Sequence, residues 1–229
     1  MTEPEKKIKE EIAALSHELR RPLTSIGGFV DGILDGTIPE TSYMHYLRIV
    51  SDEVKRLTDI TTKMLDTSKI ELLDKPASVQ TFSMNETVIR IFCTLEKVIE
   101  EKGITIEGLD SQTIVNVTGD FAMISQALFN IIENAVKYAN SQGCISVSFS
   151  SEDNLSVFSI RNTGIGINES EKDKIFDKFY RCENAKKSSE EGTGLGLSTA
   201  QAIINLHHGT ITANGLPDGF AEFTVKLPS

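Results

Sequence analysis

At 229 residues, with 39% hydrophobic and 24% charged side chains, the chain has enough apolar material for a sizeable core and fits two modest domains better than one large one. This balance excludes a chain disordered throughout. A formal net charge of -10, with lysines and arginines scattered rather than clustered, opposes binding to nucleic acid or to an anionic membrane surface.

Taken from the N-terminus, Ile8, Ile12, Leu15, Leu19, Ile26, Val30 and Ile33 recur at the spacing of one helical stripe and predict a long amphipathic helix. The run Asp35, Gly36, Thr37, Ile38, Pro39 breaks it. Leu47, Val50, Val54, Leu57, Met64 and Ser68 then resume the period as a second long helix. One partner helix cannot cover such a stripe, so the hairpin is expected to pair with a second copy as a four-helix bundle, making the protein a homodimer. Lys75 and Pro76 end the helical texture, and the expected domains are 1–75 and 76–229. Beyond that point strand-like runs at 104–106, 114–117, 145–149, 157–160, 210–213 and 220–225 mix with helical periodicity at 85–102, 121–139 and 193–207. This predicts an α+β fold with one helical layer against one mixed sheet. The polar stretch CENAKKSSEE after Arg181 reads as a mobile loop or lid.

Cys93, Cys144 and Cys182 have neither CxxC nor Cys/His metal spacing and read as free thiols of a reducing compartment. The charged opening MTEPEKKIKEE is not a signal peptide, and no apolar run approaches the roughly 20 residues that cross a bilayer. The expected location is cytoplasmic, with no membrane contact in this portion.

Several side chains sit where packing alone would not put them. On the first helix His17 points away from the apolar stripe, next to Glu18, a carboxylate suited to orient the imidazole or take its proton, and close to the helix-loosening Pro22. In FNIIENAVKYAN, Asn130 and Asn134 share a helix face, with Lys137 and Tyr138 one turn on. Amide oxygens suit Mg²⁺ and an ammonium suits phosphates. The turn NTGIGI carries Gly164 and Gly166, and the cluster GTGLGLS, with Gly192, Thr193, Gly194, Leu195 and Gly196, opens a helix whose free amides can meet phosphate oxygens.

The segment SHELRRPLTSI, Ser16 to Ile26, resembles the H-box of the sensor histidine kinases, in which the histidine is the phosphoacceptor; this assigns that role to His17, with Glu18 as base or orienting group. FNIIENAVKYAN resembles the family's N-box, with Asn134 as metal ligand. The order N-box, NTGIGI, IFDKFYR (Ile175 to Arg181), loop and GTGLGLS resembles the family's Bergerat-type ATP-binding domain. The resemblance implies a dimerisation and histidine-phosphotransfer hairpin, then an ATP-binding domain, in a two-component signal-transduction protein. It would use ATP and Mg²⁺ to phosphorylate itself and transfer the phosphoryl group to an aspartate of a response regulator receiver domain. The resemblance is compatible with this portion being the cytosolic part of a membrane-bound sensor.

Within IFDKFYR, Phe176 and Phe179 are expected to anchor the base of the loop, and Lys178 and Arg181 are candidates for phosphate. His207 and His208, in NLHHGTI, are expected to be structural. The chain departs from the family pattern twice. Asn162 stands where an Asp usually accepts a hydrogen bond from the adenine amino group, and Arg21 stands where a Thr or Asn often assists dephosphorylation of the regulator. These departures keep open a nucleotide-binding module that does not phosphorylate itself. A relative that hydrolyses ATP is disfavoured, because such enzymes place a water-activating glutamate four residues before the metal-binding Asn, where this chain has Asn130.

Overall fold

The computed structural model describes residues 3–187 and 192–229. It divides into two compact units, residues 1–66 and 67–229.

In the first unit α1 (Glu3–Leu34) runs unbroken through Pro22. Pro22 lacks an amide proton, which leaves the carbonyl of Glu18 without its helical donor. The turn after α1 is held by the Ile38 amide on the Gly32 carbonyl at 2.8 Å and by Gly36, whose φ of +77° suits glycine. Asp35 accepts from the Thr37 amide at 2.9 Å, and hydrogen bonds from the Thr37 hydroxyl first and this amide second hold its carboxyl below the usual range. A 3₁₀ turn, Glu40–Ser42, leads into α2 (Tyr43–Glu71). Phe29 packs on Tyr46 with ring centroids 5.0 Å apart, and the Tyr43 hydroxyl donates to the Ile33 carbonyl. Many apolar side chains of this unit stay open in the single chain, Leu34 at 79% and Ile12 at 59% exposure among them.

In the second unit β1 (Gln80–Ser83) pairs antiparallel with β3 (Asn116–Gly119). The sequence reading missed β1, a segment of only four residues. Ser83 caps α3 (Met84–Thr94). The single helix expected over 85–102 is broken at Leu95, and α4 (Glu96–Lys102) follows, closed by Gly103 at φ +63°. The main sheet adds β2 (Thr105–Glu107), β4 (Cys144–Glu152), β5 (Leu155–Thr163), β6 (Thr210–Leu216) and β7 (Phe220–Pro228). Its order is β2-β4-β5-β7-β6, with only the β2–β4 pair parallel. Along β7 buried residues alternate with partly exposed ones, the mark of a strand with one face in the core.

Two helices, α5 (Phe121–Tyr138) and α7 (Gly196–Leu206), pack on each other, and α5 also packs on β5. Ile124, Leu128, Ile131, Ile132, Ile203, Phe158, Ile160 and Phe223 are almost wholly excluded from solvent between helices and sheet. The expected α+β layer architecture is therefore present.

The stretch expected to be a loop after Arg181 departs from that reading, because Glu183–Lys187 forms a short helix, α6. Cys182 and Ala185, three apart, are both buried and give it an apolar footing too small to register as periodicity. The remainder of that expected lid, 188–191, lies outside the described residues. The last five residues of α2 belong to the second unit: the Thr67 and Thr199 hydroxyls share a buried hydrogen bond of 2.6 Å, and Ile70 joins the core.

Candidate functional site

The site is built around α5, whose position is fixed at both ends. At its start Asp120 accepts from the amides of Ala122 and Met123, which would otherwise be orphaned, and from the Ser78 amide. At its end the Lys102 ammonium donates to the Lys137 carbonyl at 2.5 Å, meeting the negative pole of the helix.

His207 completes the anchor. It is buried, its Nε2 accepts from the Asp120 amide at 3.0 Å, and its Nδ1 donates to the Ile203 carbonyl at 2.8 Å. This ties α7 to the cap of α5 and bears out a structural reading of the residue. His207→Ala leaves a buried amide unpaired and is expected to cost about 1–3 kcal/mol. Thermal unfolding followed by circular dichroism should show this as a lowered midpoint, by about 2–4 °C per kcal/mol for a unit of this size.

One face of α5 is core. On the other, Asn130, Asn134, Lys137 and Tyr138 are partly exposed, and neither Asn130 nor Asn134 makes a side-chain hydrogen bond among the described residues. Lys137 sits over the Tyr138 ring, 5.0 Å from its centroid. Both glycine motifs close on this face. A Cβ added to Gly192 would lie 2.5 Å from Lys137 Nζ, and one added to Gly196 would lie 3.8 Å from Asn130 Cβ. Thus the start of α7 lies against the amide-and-lysine face of α5.

The first residue of α7 is preceded by Leu195, which offers no side-chain cap, and the helix start keeps its capacity to bind an anion. The Leu195 side chain is fully buried, and its amide donates to Thr193 Oγ1 at 3.4 Å. Any part of Leu195 in binding therefore falls to its backbone.

The NTGIGI turn arrives from β5. Gly164 is bridged to Ala139 at the end of α5, and a Cβ there would overlap the Tyr138 carbonyl. Gly166, at φ +65°, passes against the Leu216 carbonyl with no space for a side chain. Asn162 is 1% exposed. Its Nδ2 leans on the Thr163 carbonyl at 3.4 Å, while its Oδ1 is buried with no hydrogen-bond partner among the described residues. Such an orphaned acceptor is costly unless a ligand donates to it. The amino group of an adenine is a donor of that kind.

Within IFDKFYR, Phe176 and Phe179 are buried. Lys178 is paired with Glu71 at 2.6 Å, and an Arg181 Nη donates to the Ala185 carbonyl at 2.7 Å. The structure thus gives both cations protein partners. The sequence reading missed Asp120, Lys102 and Glu171, the last a buried carboxylate beneath this motif; the only signal for Asp120 was its place just before an apolar-periodic run.

In the hairpin unit His17 is exposed on α1, and Glu18 beside it is partly exposed. Neither side chain makes a hydrogen bond or ion pair among the described residues.

Two family models match the chain. Residues 7–73 match the His Kinase A (phospho-acceptor) domain, and residues 119–229 match the histidine kinase-, DNA gyrase B- and HSP90-like ATPase family. The chain is a histidine kinase by family. It is 30% identical to the sensor histidine kinase WalK of Bacillus subtilis, over 100% of this chain and 38% of that protein. It is 29% identical to the sensor protein SrrB of Staphylococcus aureus, over 96% and 38% respectively. The chain spans about a third to two fifths of the length of the curated relatives it matches.

Among solved structures, histidine kinase ThkA in complex with the response regulator protein TrrA superposes with a TM-score of 0.75 at 25% identity, covering 99% of this chain and 63% of that one. The Acinetobacter baumannii histidine kinase AdeS, at 24% identity, shares the fold with a TM-score of 0.71 over 93% of this chain and 97% of its own. No helix among the described residues is long and apolar enough to cross a membrane.

Proposed function

We propose that this chain is an ATP-dependent protein-histidine kinase that phosphorylates its own His17 and passes the phosphoryl group to an aspartate of a response regulator receiver domain. Residues 1–75 serve as the dimerising phosphotransfer hairpin and 76–229 as the ATP-binding domain. The observation that carries the reading is the meeting of Asn130 and Lys137 with Gly196 and Gly192, with the orphaned Asn162 oxygen at the end of the neighbouring strand. Such a set offers an amide acceptor for a base, an ammonium for phosphates and a helix start for an anion.

Asn134, with Asn130 nearby, is the group that would hold Mg²⁺, which when bound neutralises charge on the phosphates. Lys137 steadies the phosphate chain, and Gly192, Thr193, Gly194 and Gly196 enclose it with backbone. A nitrogen of the His17 imidazole attacks the γ-phosphorus in line, forming an N–P bond as the bond from that phosphorus to the β–γ bridging oxygen breaks and ADP leaves. Glu18 orients the ring or takes its proton. In the second step a carboxylate oxygen of the regulator attacks the same phosphorus and the imidazole leaves. The exposed apolar side chains Ile12, Leu23, Leu34, Leu47 and Leu65 support a second copy covering the hairpin.

Asn162 gives a test of the nucleotide reading that is independent of turnover. Its amide offers a neutral acceptor where a carboxylate would make a charge-assisted bond, a difference of about 1 kcal/mol. Asn162→Asp is therefore expected to tighten ATP binding severalfold to about tenfold in calorimetric titration. An unchanged or weakened affinity would remove Asn162 from the base-binding role.

A further inference from the structure

Glu171 is 6% exposed, and its charge is met by neutral donors alone. Oε1 accepts from the Tyr180 hydroxyl at 2.9 Å and from the Glu183 amide at 3.1 Å, and Oε2 accepts from Asn168 Nδ2 at 2.7 Å. It forms no ion pair among the described residues. Burial alone would lift its carboxyl, but the hydrogen bonds from Asn168, Tyr180 and the Glu183 backbone outweigh this and hold it below the ordinary range. Burial, and then the Glu171 carboxylate, push the Tyr180 phenol up, so Tyr180 stays a donor. A buried carboxylate is a poor way to fill space, since an apolar group of that size would be as stable or more so. What this one does is join three segments: Asn168 just past NTGIGI, Tyr180 in IFDKFYR, and the first residue of α6.

The tie continues through the backbone. Phe179, next to Tyr180, is held at φ +64°, a conformation that a bulky residue adopts only when its surroundings enforce it. Its amide donates to the Gly194 carbonyl at 2.9 Å, and Gly194, at φ +70°, lies so close to Phe179 and Tyr180 that a Cβ would come within 2.8 Å of their backbone. Gly194 stands between Gly192, which abuts Lys137, and Gly196, which abuts Asn130.

We infer that Glu171 is a positioning residue for the phosphate-binding end of the nucleotide site, acting through Tyr180 and the Phe179–Gly194 backbone bond to seat the glycines against α5. This rests on the ATP-binding reading above. The test measures affinity for ATP, and for AMP, which lacks the β- and γ-phosphates, by calorimetry on the whole chain with Mg²⁺.

Glu171→Ala is expected to weaken ATP about tenfold or more while AMP changes less than about twofold, because only the phosphate end loses its seat. Glu171→Gln retains an oxygen for Tyr180 and should restore ATP affinity to within about threefold of the parent. Tyr180→Phe, which removes one hydroxyl, should shift the ATP-to-AMP ratio in the same direction and decides the matter should Glu171→Ala not fold. Equal losses for ATP and AMP, or an unaltered ratio in both Glu171→Ala and Tyr180→Phe, would overturn the inference. A parent chain that binds neither nucleotide would overturn the ATP reading itself.

Discussion

Replacing Asn134 with alanine is expected to abolish the Mg²⁺-dependent part of ATP binding and to lower autophosphorylation by about a hundredfold or more, since a metal ion on transferring phosphates contributes several kcal/mol of charge stabilisation. The change is unusually clean. Asn134 is partly exposed on a regular stretch of α5, makes no side-chain hydrogen bond among the described residues, and gives way to a better helix former. That exchange favours the helix by up to about 0.7 kcal/mol. Lost activity therefore cannot be charged to unfolding. Calorimetry should show ATP binding to the parent strengthened by Mg²⁺ over EDTA, and binding to Asn134→Ala indifferent to the metal. A variant that still responds fully to Mg²⁺ would move the ligand elsewhere.

His17→Gln is expected to have the larger effect on chemistry and almost none on binding. An exposed imidazole with no hydrogen-bond partner among the described residues contributes little to stability, and surface changes of this kind stay within about 0.5 kcal/mol. Its nucleophilic nitrogen, however, has no substitute in an amide side chain. The variant should bind ATP as the parent does, unfold at the same temperature, and incorporate no phosphate. Glu18→Gln should slow the reaction without stopping it, by up to about the hundredfold to ten-thousandfold that a positioned acid or base supplies. Full labelling of His17→Gln would show that the phosphoryl group goes elsewhere.

Much of this was legible in the sequence because the two periods that carry it are strong. Ile12, Leu15, Leu19 and Ile26 announce α1, and the alternation of Ile145, Val147 and Phe149 announces β4. The candidate site residues were legible for a different reason: FNIIENAVKYAN, NTGIGI and GTGLGLS follow one another in the order of the family's ATP-binding domain, and that resemblance singled out Asn134, Asn162 and the glycines around Gly194.

What escaped depended on partners distant in the chain. Glu171 lies in NESEK, which reads as solvated, and only the folded unit shows Tyr180 and the start of α6 closing over it. In the same way Lys75 and Pro76 mark the end of helical texture, whereas the packing division falls inside α2, because Thr67 meets Thr199 and Ile70 enters a core made mostly of residues beyond 80. Lys178 could not be assigned its carboxylate from sequence, since Glu71 is 107 residues away.

The most direct trial of the kinase reading is incubation of the chain with γ-labelled ATP and Mg²⁺, followed by acid and base treatment and peptide mapping. Label that is lost in acid, survives base and maps to the peptide containing His17 is the predicted result, because an N–P bond of phosphohistidine is acid-labile. Release of free phosphate with no label on the chain, or label on a peptide without His17, would contradict it.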